Sequence, residues 1–240
     1  MTILRSEGTR MKVLLIVPAY NEQESIASVA KTIEDAGYDY IVVSDGSTDA
    51  TEQICRKNHI NLLSLSKNLG IGGAVQAGHR YAREHDYDVD IQFDGDGQHD
   101  IAYVPALLAE IEKGADLVIG SRFIGNVGNA FTSTALRRLG IGWLNRMIKL
   151  VCGVTVTDAT SGFRASGKRA IKMFARRYPS DYPEPESIVS AAKKGLEIRE
   201  APVVMHERQG GVSSITPLAS VYYMIKVTLA ILIAGITKTH

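Results

Sequence analysis

The sequence predicts an α/β domain built on a mostly parallel sheet with helices on both faces. Three observations predict it. Short apolar runs alternate with stretches of helical length from Val13 to Ile119. The first of them, residues 13–17, is continuously apolar, as in a strand buried on both faces. Two of them end in acidic turns, Asp45-Gly46-Ser47-Thr48-Asp49 and Asp94-Gly95-Asp96. Ligands of such sheets collect beyond the carboxyl ends of the strands.

Each element has its own signal. Val13-Leu14-Leu15-Ile16-Val17 reads as a buried strand stopped by Pro18. Residues 22–36 read as a helix with Ile26, Val29, Ala30 and Ile33 on one face. Residues 40–44 form the second strand, and Ser47, Thr48 or Asp49 can cap a helix running to about Asn58. Residues 62–65 form the third strand. Gly70–Gly73 opens a helix through about Glu84. Residues 89–93 are the fourth strand, 101–113 a helix and 117–119 the fifth strand. Residues 125–134, rich in Gly, Asn, Ser and Thr, read as a loop. Residues 135–151 read as a basic amphipathic helix. Leu139, Trp143, Met147 and Val151 share one face, and Arg137, Arg138, Arg146 and Lys149 supply charge. Residues 158–200 return to α/β character.

The expected organisation is a loose extension at 1–10, a domain at 11–214 and an apolar tail at 215–240. The tail from 221 to 236 holds a single charge, Lys226. A mid-bilayer lysine costs roughly 2.5–3.5 kcal/mol on insertion scales. A helix lying on the membrane, or docked on a partner or second copy, therefore fits better than a lone span.

Composition narrows the class. The 240 residues carry 27 Lys+Arg against 26 Asp+Glu, so no global basic footprint calls for nucleic acid. Cys55 and Cys152 lack metal-ligand spacing and read as reduced thiols, as in a cytosolic compartment. Residues 1–10 lack the apolar region of a signal peptide.

Asp94 and Asp96, one residue apart after a strand, repel one another and call for a cation. Oxygen donors suit Mg²⁺ or Mn²⁺, and such ions carry substrate diphosphates. An EF-hand is excluded, since its fifth, sixth and twelfth positions would fall on Gln98, His99 and Pro105. Gly70-Ile71-Gly72-Gly73 is a poor dinucleotide fingerprint, with Val75 at the last glycine position and the wrong βα turn. It suits a tight turn where backbone approaches a ligand, or where a helix opens. Pro18-Ala19-Tyr20-Asn21-Glu22 adds an aromatic ring and a carboxylate at a third strand end. Together, three neighbouring strand ends would line one crevice able to hold a nucleotide.

The set Pro18-Ala-Tyr-Asn-Glu22, Asp45-Gly-Ser-Thr-Asp49, Asn68-Leu-Gly70, Asp94-Gly-Asp96 and Gly120-Ser-Arg-Phe123 resembles the family-2 inverting glycosyltransferases of the GT-A fold. Asp158-Ala-Thr-Ser-Gly-Phe-Arg164 and Arg208-Gln-Gly-Gly-Val-Ser213 are similar to its polyprenyl-phosphate branch, which includes dolichol-phosphate mannose synthase. The resemblance spans about residues 11–214. It implies that Pro18, Tyr20, Glu22 and Asp45 hold the nucleoside, with Asp94 and Gly95 in the same nucleotide-sugar site. It assigns Asp94, Asp96 and Gln98 to a Mg²⁺ or Mn²⁺ ion and the diphosphate. Arg122, Arg164 and Arg208 would meet donor or acceptor phosphates, the last two on the acceptor. Asp158 would lie near the reacting centre, making Asp96, Asp158 and Arg122 the catalytic set. The two glutamates of Tyr182-Pro-Glu-Pro-Glu186 read equally as acceptor-site carboxylates or as part of a proline-stiffened loop.

The implied activity is transfer of a sugar from a UDP- or GDP-linked donor to an undecaprenyl- or dolichyl-type phosphate, for cell-surface glycan synthesis. The implied place is the cytoplasmic face of the cell membrane, reached peripherally or through the tail. A homo-oligomer or a small membrane partner could cover that tail. One rival is transfer to a carbohydrate hydroxyl, which needs a carboxylate base such as Asp158 or Glu186. A second is a non-catalytic nucleotide-sugar-binding subunit. A third, a nucleotidyltransferase, usually has a Gly-rich basic first loop in place of Pro-Ala-Tyr-Asn-Glu.

Overall fold

The computed structural model describes residues 11–125, 135–206 and 217–237. The extension at 1–10, the loop at 126–134 and the segment around Arg208 lie outside the described residues. Strands β1 (Val13–Ala19), β2 (Asp39–Ser44), β3 (Leu62–Ser64), β4 (Val89–Gln92), β5 (Leu117–Ser121), β6 (Arg164–Gly167) and β7 (Ile198–Pro202) form one sheet. Its order is β3-β2-β1-β4-β6-β5-β7. The helices are α1 (Ile26–Asp35), α2 (Thr51–Lys57), α3 (Gly70–Glu84), α4 (Val104–Glu112), α5 (Ala135–Cys152), α6 (Lys168–Phe174), α7 (Pro183–Lys193) and α8 (Pro217–Ile236). A single 3-10 turn, Ile101–Tyr103, leads into α4.

Both faces of the sheet are covered, as its continuous apolar runs require. Leu15 and Val17 pack with Ile26 and Ile33 of α1 and Leu107 and Leu108 of α4. Their neighbours Leu14 and Ile16 point the other way, toward Ala74 and Ala82 of α3 and Ile171 of α6. Burying side chains of this size contributes about 1.5–3 kcal/mol each.

The sheet is parallel except at β6, which runs antiparallel to both β4 and β5. This reversal builds the site. The start of β6 lies at the same edge as the carboxyl ends of β4 and β5. The 158–163 loop is thereby delivered beside Asp94 and Arg122.

Several boundaries differ from expectation, each for a local reason. Strand β1 passes through Pro18, which pairs in register with Val43. Helix α1 begins at Ile26, not at residue 22, because the backbone before it is bound elsewhere. The Asn21, Glu22 and Gln23 N–H groups donate to Ser47, Thr51 and Asp49 side chains. Gly70–Gly73 does open α3, but the backbone approaching it is the chain's own. A Cβ on Gly72 would lie 1.9 Å from the Pro179 carbonyl oxygen.

Helix α5 packs inward through residues other than those of the amphipathic face named from the sequence. Ile141, Leu144 and Ile148 are buried, whereas Leu139 and Trp143 are exposed. Met147 and Val151 only flank the core formed with α7 and α8. Helix α8 does not hang free. Val227 and Ile231 are buried in that same core. Lys226 pairs with Asp181 at 2.7 Å. No helix among the described residues is long and apolar enough to cross a membrane.

Candidate active site

The turns after β1, β2 and β4, three adjacent strands, meet at one sheet edge. Asp45 donates its N–H to the Ala19 carbonyl at 2.9 Å. Its carboxylate accepts from the Leu69 N–H at 2.7 Å. Gly46, at φ +67°, lies so close to Lys67 and Asn68 that a Cβ would be 2.6 Å from the Asn68 nitrogen. Asn21, itself at φ +57°, accepts from the Thr48 N–H at 2.8 Å. These bonds pin the turns after β1 and β2 to each other. Tyr20, between them, remains half-exposed. Glu22 accepts from the Ser25 hydroxyl.

The Asp94–Gln98 turn closes on the same edge. A Cβ on Gly95 would sit 3.1 Å from the Pro18 carbonyl oxygen, so the acidic turn lies against the end of β1. Asp96 is buried and accepts from the Gln98 N–H at 3.0 Å. Asp94 is more open and accepts from Gln92 Nε2 at 3.1 Å. The Asp94 N–H donates to His99 Nδ1 at 3.0 Å. That bond places the neutral ring's proton on Nε2, which faces Asp94 Oδ2 at 3.4 Å. His99 is buried and stacked on Phe163. It is a positioning residue that the sequence reading passed over, although it stands three residues beyond Asp96.

No three His, Cys, Asp or Glu side chains gather into a metal cage among the described residues. The donor set is two carboxylates with Gln98 nearby. That fits Mg²⁺ or Mn²⁺, which take one or two carboxylates and fill the remaining positions with water and substrate phosphate. The buried Ser161 hydroxyl has no partner. It adjoins Gly162, where a Cβ would be 3.3 Å from Asp94 Oδ2.

Across the edge, Arg122 and Asp158 form a two-pronged pair. Arg122 Nε and Nη2 donate to Asp158 at 2.7 and 2.8 Å, and its backbone N–H adds a third bond at 3.2 Å. Asp158 is fully buried. Glu200 of β7 accepts from the Thr157 and Asp158 N–H groups, and Asn145 of α5 donates to the Thr157 carbonyl. These two partners were also missed, because neither carries a motif.

Arg164 departs most from expectation. It is buried, and its guanidinium donates to the carbonyls of Ser161, Glu184 and Ala159 and to the Ser187 hydroxyl. Carbonyls take the N–H groups that a phosphate would need, so Arg164 clamps the 158–163 loop to α7. Arg208 lies outside the described residues.

The clamp brings Glu184 to the site. Burial pushes its carboxyl pKa up, while Arg164 pulls it down and Asp94 adds to the rise. Of the two glutamates left open by the sequence, this is the one electrostatically tied to the acidic turn. A raised folded pKa contributes stability below the unfolded value, about 4.3, and loses it as pH rises through the folded value. In metal-free protein, Glu184→Gln is therefore expected to raise Tm at pH 8 and to lose that advantage near pH 4. Thermal melts at both pH values check it; a lower Tm for the variant at pH 8 contradicts it.

A mostly parallel α/β sheet with an acidic turn at the end of its central strand, beside the turns after two neighbouring strands, is the arrangement of a GT-A glycosyltransferase. Residues 14–174 match the family described as Glycosyl transferase family 2, and the chain belongs to that family. It is 33% identical over 217 residues to the undecaprenyl-phosphate mannosyltransferase of Micrococcus luteus, spanning 86% of this chain and 88% of that one. It is 32% identical to the UDP-N-acetylglucosamine–dolichyl-phosphate N-acetylglucosaminyltransferase of Methanococcus voltae, spanning 80% and 84%. The fold is that of glucosyl-3-phosphoglycerate synthase from Mycobacterium tuberculosis solved with UDP. The TM-score is 0.68 at 19% identity, over 95% of this chain and 82% of that one.

Proposed function

We propose that this glycosyltransferase moves a sugar from a nucleoside diphosphate donor to a polyprenyl phosphate, with inversion, at the cytoplasmic face of a membrane. The pairing of Asp158 with Arg122 carries the reading. An aspartate held by two guanidinium bonds is a poor general base, and a lipid phosphate needs none because it is already an anion at pH 7. The relatives named for undecaprenyl and dolichyl phosphate acceptors support the same choice.

In this reading, Tyr20 stacks on the base, and Asp45 and the Asn21–Thr48 turn shape the nucleoside pocket. Asp94 and Asp96 hold Mg²⁺ or Mn²⁺ with Gln98 beside them; the solved synthase binds UDP with Mn²⁺ or Mg²⁺. A bound divalent ion supplies charge stabilisation to the leaving diphosphate. Arg122 presents positive charge at the acceptor side, oriented by Asp158. The exposed Leu139 and Trp143 of α5 and Ile225, Leu229 and Ile236 of α8 form an apolar face suited to a bilayer interface.

A second reading rests on Glu184. A carboxyl with a raised pKa near Asp94 suits deprotonation of a sugar hydroxyl. One assay separates the two. Radiolabelled UDP- and GDP-sugars are offered with polyprenyl phosphate in detergent, and product is partitioned into organic solvent. Organic-extractable label is expected. Label found only in water-soluble glycan, and abolished by Glu184→Gln, overturns the lipid-acceptor reading.

A further inference from the structure

Helices α6, α7 and α8 and the loop after α6 line a groove of about 800 Å³. Helix α7 contributes Glu186 and Ser190, one turn apart, with Lys194 just past its end. One wall is α8, with Ala230, Ile233, Ala234 and Thr237. The opposite wall is α6 and the loop after it, with Lys172, Arg176 and Arg177. Apart from Lys226, α8 brings small and apolar side chains to the groove, and α6 with the loop after it brings four of its cations. Six cationic side chains line it against two carboxylates, Asp181 and Glu186.

The fold already neutralises part of that charge. Lys226 pairs with Asp181, and Arg169 pairs with Asp116 and donates to the Gly195 carbonyl. Arg177 acts on Glu186. Lys172 and Arg176 are exposed and have no such partner among the described residues. The apolar wall is continuous with the outer face of α8, because Ile233 lines the groove and is also exposed beside Leu229 and Ile236. A ligand resting here meets cations and a hydrocarbon surface together.

We propose that this groove seats the phosphate headgroup of an anionic phospholipid when α8 rests on a bilayer. The inference builds on the membrane reading above and adds a headgroup site to it. Charge complementarity selects the headgroup, and continuity with the apolar face of α8 selects a bilayer lipid over a free phosphate. Lipid-anchored enzyme would then be held by α8 in the acyl boundary and by α6 at the phosphate layer.

The test is vesicle co-sedimentation of the full chain with phosphatidylcholine alone and with added phosphatidylglycerol. Wild type is expected to favour the anionic vesicles. Lys172→Glu with Arg176→Glu is expected to lower affinity for them about tenfold or more, since each basic residue near an anionic surface counts for roughly a factor of five. Binding to neutral vesicles should stay at the wild-type level. Retained UDP or GDP binding reports an intact fold. Lys57→Glu with Arg83→Glu, on other helices, should leave anionic-vesicle binding unchanged. Equal losses in the two double variants, or no loss in the first, overturns the site. Displacement from vesicles by millimolar inorganic phosphate, at constant ionic strength, would overturn the lipid assignment in favour of a free phosphate. Transfer to a short-chain polyprenyl phosphate in detergent should match wild type in the Lys172/Arg176 variant. Absence of transfer in wild type itself would sink the functional reading while leaving the vesicle result standing.

Discussion

Asp96→Asn is expected to lower turnover about 100- to 1,000-fold, equivalent to roughly 3–4 kcal/mol of lost transition-state stabilisation. Asp96 is buried and held by the Gln98 N–H. Asparagine keeps an oxygen for that bond, so the turn survives while the negative charge is lost. Nucleotide binding should weaken in parallel when measured calorimetrically with Mg²⁺. Wild type in EDTA should bind nucleotide about as weakly as the variant does. Full activity in EDTA, with elemental analysis showing no bound metal, would overturn the metal-assisted mechanism.

The second large effect is on stability. Asp158→Ala removes one partner of a buried ion pair and leaves the Arg122 guanidinium, 7% exposed, without its carboxylate. Breaking such a pair costs about 3–5 kcal/mol, or a Tm lower by roughly 6–20 °C in a chain of this size. The Thr157–Asp158 N–H groups still have Glu200, so the loop backbone keeps its anchor and the loss is electrostatic. Arg122→Met combined with Asp158→Leu should recover much of the Tm without recovering activity, because paired removal leaves no buried charge alone. A double variant no more stable than Asp158→Ala would show that the loop depends on the pair for shape rather than for charge balance.

The parallel part of the sheet was legible because its signals are local. Continuous apolar runs mark β1 and β2, Val89, Ile91 and Phe93 mark β4, and the turns at their ends follow from strand direction. The four apolar positions named for α1 are its four buried residues. The direction of β6 was not legible, since Arg164–Gly167 holds no apolar pattern that distinguishes antiparallel from parallel. Which face of α5 packs inward was not legible for a related reason. The helix is apolar around much of its circumference, and only the position of α7 and α8 decides which side is covered. Arg164 shows the limit at the site. An arginine in a motif reads as a phosphate ligand, but the carbonyls of Ala159 and Ser161 just before it and of Glu184 in α7 claim it. Glu184, His99 and Glu200 matter through neighbours far along the chain.

The strand order has a consequence for how the molecule is made. Strand β5 has only two neighbours in the sheet, β6 and β7, and both follow it in the chain. As the polypeptide leaves the ribosome, β1 to β4 can assemble a nucleotide-facing half with the acidic turn in place. Strand β5, with Arg122 just after it, must wait until Arg164, about forty residues later, before any strand can receive it. Synthesis therefore passes through a stage in which the donor-side half has its partners while β5 remains an open edge. Pairing across such separations is slow, and an unpaired apolar edge is prone to aggregate. Insertion of β6 closes one edge of β5 and, in the same event, brings Asp158 to Arg122, while the other edge waits for β7.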